Sequence, residues 1–189
     1  MCSSDLQGAR IGTSSIRRKA QLLARRPDLR MEEIRGNVQT RLNKLASEGL
    51  DATILAAAGL RRLGLEAPAY PLSFDVMLPA VGQGLIAVEI READARTRDL
   101  LAPLNVPEAM AAGEAERSFL RTMGGGCQVP FAAHATISGD RLRLEAGVFS
   151  HDGSSARRAQ GEGLVHEAAA VGARVAADLS GAGESGRVQ

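Results

Sequence analysis

The sequence predicts an α/β domain with a parallel-rich sheet, followed by a small α+β domain. Three observations carry this. Strand-type and helix-type patterns alternate from Ala9 to Leu63, prolines at 103 and 107 interrupt the chain, and a hairpin pattern replaces the alternation after residue 127.

In order, Ala9 to Gly12 reads as a strand end, and Thr13-Ser14-Ser15 offers hydroxyl caps to a helix that stops near Pro27. Arg30 to Ile34 reads as a second strand, and Asn37 caps a helix carrying Val38, Leu42 and Leu45, with Gly49 as its stop. Asp51 to Leu55 is expected as a buried strand, and Ala57 to Leu63 as a short helix. The Pro79–Gly84 stretch breaks the alternation and leads into an apolar strand expected at Leu85 to Ile90. A polar helix follows from about Ala93 to Leu101, then a longer one opened by Pro107 and ending near Met123. Phe131 to Ile137 and Leu142 to Phe149 read as strands joined by Ser138-Gly139-Asp140, and Glu167 to Leu179 as an Ala-rich helix. The first six residues lead into no element and resemble a translated adapter sequence, so residues 1–7 are expected to be a non-native leader.

Composition narrows the function. With 44% hydrophobic and 24% charged residues the chain is globular rather than disordered, and its 3% aromatics leave an aliphatic core. A net charge of +1 argues against a broad nucleic-acid footprint, and no apolar run reaches membrane-span length, so a cytoplasmic location is expected. Cys2 and Cys127 form neither a disulfide framework nor a metal-ligand spacing, and no metal is expected.

The basic residues are informative in their placement. Only Lys19 and Lys44 are lysines; the rest are arginines, which a GC-rich genome can explain in number. Arg17 and Arg18 stand in the opening turn of a helix, where the positive end of the dipole disfavours cations. Either they extend into water, or an anion sits between them on the free N–H groups and guanidinium forks. Arg35 and Arg41 flank the start of the second helix, and Arg61 and Arg62 follow the third strand. In a parallel sheet such loops gather at the carboxyl ends of the strands, where ligands bind. No phosphate loop or dinucleotide fingerprint is present, so a polycarboxylate is the preferred ligand. A carboxylate-binding sensor and a phosphate-handling transferase are the rival readings. Gly124-Gly125-Gly126-Cys127 is, by spacing, either a flexible connector with an incidental thiol or a loop that a bulky group approaches.

The motifs Gly12-Thr13-Ser14-Ser15-Ile16-Arg17-Arg18, Arg35-Gly36-Asn37-Val38-Gln39-Thr40-Arg41-Leu42, Leu60-Arg61-Arg62-Leu63-Gly64-Leu65, Pro79 to Gly84 and Gly125-Gly126-Cys127-Gln128-Val129-Pro130 resemble the porphobilinogen deaminase (hydroxymethylbilane synthase) family, in its order and spacing. The resemblance runs from about Gly8 nearly to the end. It implies a transferase of tetrapyrrole biosynthesis that joins four porphobilinogen units into hydroxymethylbilane with loss of ammonia. It also implies a dipyrromethane cofactor in thioether linkage to Cys127, with Thr13, Ser15, Arg17, Arg18 and Arg41 on its carboxylates. Arg35 and Arg62 would face incoming or elongating rings, and Arg61 would matter less. On the family's template, a periplasmic-binding-protein-like second domain covers 8–78, a segment returning to the first domain covers 79–104, and the C-terminal α+β domain covers 105–189. The partners implied are porphobilinogen and the growing polypyrrole chain, with no nucleic acid or membrane, on a monomer. The family's catalytic aspartate matches no residue here, so the chain is expected to be a fragment, inactive alone and poorly soluble through the strand at Leu85 to Ile90.

Overall fold

A computed structural model describes residues 6–65, 68–124 and 129–181. It divides into two compact units, one built from residues 6–78 with 129–130 and 149–156, the other from 79–124, 131–148 and 157–181.

The first unit is a parallel α/β layer. Strands β1 (Arg10–Gly12), β2 (Arg30–Glu32) and β3 (Ala52–Thr53) lie in the order β2-β1-β3. Ile11 is in register with Met31 on one side and Ala52 on the other, both pairings parallel. Each strand is followed by a helix: α1 (Ile16–Arg25), α2 (Val38–Ser47) and α3 (Ala57–Arg62). Two caps act as their residue types dictate, Ser15 accepting from the Arg18 N–H and Asn37 from the Thr40 N–H. Ala9, Ile11 and Leu29 form a small aliphatic core, with Leu22 and Leu23 of α1 packed on it. The third strand is two residues long and half-buried, shorter and less enclosed than its apolar sequence predicts.

The second unit is an antiparallel sheet covered by helices. After α4 (Ala95–Leu101) and a 3-10 turn at Ala102–Leu104, the long helix α5 (Pro107–Thr122) opens on its proline. Strands β4 (Phe131–Ser138) and β5 (Arg141–Phe149) form the expected hairpin, Ser138 opposite Arg141. A third strand, β6 (Ala156–Leu164), completes the order β4-β5-β6, and a 3-10 turn at Val165–Glu167 leads into α6 (Ala168–Gly181). Phe119 of α5 packs edge-on against Phe131 at 6.1 Å, over a core of Leu142, Leu144, Val171 and Val175.

Two departures from the sequence reading have physical causes. The stretch Leu85 to Ile90 is not a strand: no ladder pairs it among the described residues, and Ile86 is 82% exposed. An apolar composition alone does not make a strand when no neighbour supplies the hydrogen bonds. Conversely, the sequence reading assigns no element to Ala156–Leu164, where β6 forms with Gly161 and Gly163 on the face that meets α6. A Cβ at either would fall 2.7 or 2.6 Å from methyls of Val175 and Val171, so α6 packs there only over glycine.

Candidate functional site: an arginine cluster at the helix starts

The first unit places its arginines where the chain enters helices α1 and α2. None of α1, α2 and α3 has an acidic residue in its first turn. The positive ends of the dipoles are therefore left without side-chain neutralisation. Arg17 and Arg18 are half-buried in the first turn of α1, and Arg41 is half-buried in that of α2.

Each donates to a carbonyl oxygen. Arg17 Nη1 donates to Leu78 O at 2.6 Å, Arg18 Nη1 to Ile54 O at 2.8 Å, and Arg41 Nε to Gly36 O at 2.8 Å. Elsewhere in the unit, Arg10, Arg25, Arg26 and Arg35 each reach a carboxylate. Arg18 and Arg41 reach none among the described residues. Carbonyl dipoles orient a guanidinium but do not cancel its charge.

The electrostatics follow from this. Burial lowers the Arg17 pKa to about 10, with the neighbouring Arg18 charge adding to the effect. Burial likewise lowers Arg18, helped by the charge of Arg41. The three groups thus form a mutually repelling chain from Arg17 through Arg18 to Arg41, held together by the fold.

The hydroxyls frame this cluster. Thr13 is buried, its N–H donating to Glu32 O at 2.8 Å and its Oγ1 accepting from the Ser15 N–H at 3.2 Å. Ser15 Oγ is committed to the α1 cap, and the Ser14 hydroxyl donates to Ile34 O. Arg35 is exposed and makes a two-point ion pair with Glu33 Oε1, at 3.0 and 2.6 Å. Arg61 and Arg62 are exposed in the last turn of α3, their side chains with no hydrogen bond or ion pair among the described residues. The structure therefore brings together Arg17, Arg18 and Arg41 beside Thr13 and Ser15, and leaves Arg35 and Arg62 out of that cluster. Cys127 lies outside the described residues, as do residues 1–5 of the expected leader.

Sequence reasoning missed Gln21. Its spacing of one turn from Arg17 was visible, but its partner, the backbone of Leu78, is 57 residues away. Among the described residues there is no group of three or more His, Cys, Asp and Glu able to hold a metal ion. No helix among them is long and apolar enough to cross a membrane.

A parallel α/β unit that concentrates mutually repelling guanidinium groups at adjacent helix starts has the chemistry of an anion site. Residues 2–99 match the family model "Porphobilinogen deaminase, dipyromethane cofactor binding domain", and residues 110–181 match "Porphobilinogen deaminase, C-terminal domain". The chain belongs to the porphobilinogen deaminase family. It is 52% identical over 178 residues to the porphobilinogen deaminase of Desulforamulus reducens, covering 94% of this chain and 58% of the relative. Identity to the enzyme of Syntrophotalea carbinolica is 52% over 174 residues, covering 92% of this chain and 55% of that one. The Rubrobacter xylanophilus relative is 48% identical over 180 residues, 95% of this chain and 58% of the relative. The chain thus spans somewhat more than half the length of these curated relatives.

Proposed function

We propose that this chain is the cofactor-binding and C-terminal part of a transferase that joins porphobilinogen units into hydroxymethylbilane with release of ammonia. The observation that carries this is the Arg17–Arg18–Arg41 chain, in which neighbouring charges repel one another and Arg18 and Arg41 reach no carboxylate among the described residues. Such a cluster fits a dipyrromethane, because every pyrrole ring of that cofactor bears two carboxylates. When bound, the dipyrromethane supplies the free pyrrole carbon to which further rings are joined.

In this reading Arg17, Arg18 and Arg41 bind cofactor carboxylates, and Thr13 and Ser15 set the helix start from which two of those arginines project. Cys127 carries the cofactor through a thioether, a role suited to soft, nucleophilic sulfur. Arg35 and Arg62 are exposed and meet incoming or elongating rings, Arg35 by exchanging Glu33 for a substrate carboxylate. Residues 8–78 act as a periplasmic-binding-protein-like second domain, 79–104 as a segment returning to the first, and 105–189 as the C-terminal domain, in a cytoplasmic monomer. No described residue of this chain is assigned the acid–base step.

Intact mass of the native protein tests the covalent part. A dipyrromethane increment is expected, lost in Cys127→Ser, and an unmodified parent protein would sink it. For the cluster, a synthetic dipyrromethane tetracarboxylate should raise the melting temperature of Cys127→Ser but not of Cys127→Ser carrying Arg17→Gln and Arg18→Gln. Equal shifts in both would remove the arginines from the site.

A further inference from the structure

We infer that Gln21 is a positioning residue of the anion site, fixing the backbone of Leu78 so that its carbonyl oxygen orients the guanidinium of Arg17; this rests on the carboxylate-binding reading above. Gln21 is 1% exposed, which is costly for a primary amide unless its polar atoms find partners. Both ends of that amide reach Leu78, and Nε2 also donates to Arg17 O at 3.4 Å. Gln21 Oε1 accepts from the Leu78 N–H at 2.8 Å, and its Nε2 donates to Leu78 O at 3.0 Å. The side chain thereby pairs with Leu78 as a neighbouring strand would, satisfying both backbone groups of a residue that is itself 1% exposed.

The same carbonyl oxygen receives Arg17 Nη1 at 2.6 Å. Leu78 is far from α1 in sequence and follows a turn in which the Val76 and Met77 N–H groups both donate to Ser73 O. Nothing in that turn prescribes where the Leu78 carbonyl points. Gln21 does, because the amide is planar and grips both backbone groups at once. Arg17 and Gln21 are one turn apart on α1, so they share a face, and the oxygen that Gln21 fixes lies within reach of Arg17. A guanidinium is a rigid fork, and anchoring one of its nitrogens limits the plane in which the others meet a carboxylate.

A role confined to core stability would weaken binding equally whether or not Arg17 is present. A positioning role acts through Arg17 and vanishes without it. The test is a double-mutant cycle in a Cys127→Ser background, which keeps the probe non-covalent. A synthetic dipyrromethane carrying one acetate and one propionate per ring is titrated calorimetrically into the parent, Gln21→Met, Arg17→Gln and the double variant. Gln21→Met should bind about tenfold more weakly than the parent, yet change affinity by less than about twofold in the Arg17→Gln chain. Unchanged affinity in Gln21→Met, or the same loss in both backgrounds, overturns the inference while Arg17→Gln still weakens binding. If Arg17→Gln binds as the parent does, the anion-site reading fails and this inference with it. Should Gln21→Met not fold, Gln21→Asn keeps the amide but is one methylene too short to hold both Leu78 groups, and the same cycle decides.

Discussion

Arg17 and Gln21 converge on a single oxygen, the carbonyl of Leu78, at 2.6 and 3.0 Å. The guanidinium is thus positioned by hydrogen bonding in a desolvated place. Burial and the Arg18 charge lower its pKa to about 10.

This gives a pH dependence of defined sign. A base whose pKa falls on folding binds its proton more weakly in the folded chain, so charged Arg17 opposes folding at all pH values below about 10. That penalty is relieved as pH rises through 10 toward the ordinary arginine value. Replacing Arg17 with Gln removes the titration. The stability of Arg17→Gln relative to the parent should therefore fall as pH rises through 10, measured as urea midpoints at pH values on either side. A difference that stays flat would show that Arg17 is not desolvated in the ligand-free chain.

Gly153 makes a packing prediction in the first unit. It sits at φ +75°, and a Cβ there would lie 2.5 Å from Ala24 N and 2.6 Å from Leu23 C, both backbone atoms of α1. The turn around it is braced from within: Ser150 N–H donates to Ser155 O at 2.8 Å, and Ser154 N–H to Asp152 Oδ1 at 3.0 Å. Neither side can give way easily. Gly153→Ala should cost about 2–4 kcal/mol, combining backbone strain with overpacking. Gly139 is the internal control, with φ +62° and nothing within 4 Å of the place a Cβ would occupy. Gly139→Ala should cost only about 1 kcal/mol. Equal losses in chemical denaturation would show that the approach to α1 is not tight.

Asp28 governs the acid limb. Its carboxylate takes a two-point bond from Arg26, at 2.6 and 2.7 Å, and accepts the Gly8 N–H at 2.9 Å. The Arg26 hydrogen bond first, then the Gly8 N–H, holds its pKa well below the usual carboxylate range. An acid whose pKa falls on folding stabilises the folded chain above the ordinary carboxylate range and loses that contribution as pH drops through and below it. Between about pH 5 and pH 2 the parent should lose more stability than Asp28→Asn. Parallel acid-denaturation curves would show that the Arg26 pair contributes nothing in solution.

Much of this architecture was legible in the sequence, for local reasons. Ser15 and Asn37 announce their helices because a capping side chain bonds within three residues of itself. The Gly139-Asp140 turn announces its hairpin in the same way. Arg17, Arg18 and Arg41 stood out because cations oppose the dipole at a helix start. What the sequence hid depends on distant partners. Strand β6 carries glycine where a strand usually carries an apolar side chain, since Val171 and Val175 of α6 fill the space. Gln21 looks like an ordinary helix residue until Leu78 meets it. Leu85 to Ile90 errs the other way, apolar enough for a strand but unpaired among the described residues.

Glu116 offers the sharpest stability test in the second unit. It is 5% exposed on α5, and its two oxygens serve two different segments. Oε2 accepts from the Gly82 N–H at 2.6 Å and Oε1 from the Ala135 N–H at 2.9 Å. One carboxylate thus ties the Pro79–Gly84 turn and strand β4 to the same helix. Glu116→Ala leaves both N–H groups without their acceptor and should cost about 2–4 kcal/mol. Glu116→Gln discriminates the mechanism, because an amide has one acceptor oxygen and presents its NH2 to the second N–H, donor against donor. It should therefore also destabilise, by about 1–3 kcal/mol, despite its nearly identical volume. Amide hydrogen exchange at Gly82 and Ala135 locates the effect: Gln should accelerate exchange chiefly at one of the two, Ala at both. Wild-type stability in Glu116→Gln would show that one hydrogen bond suffices to hold the turn and the strand.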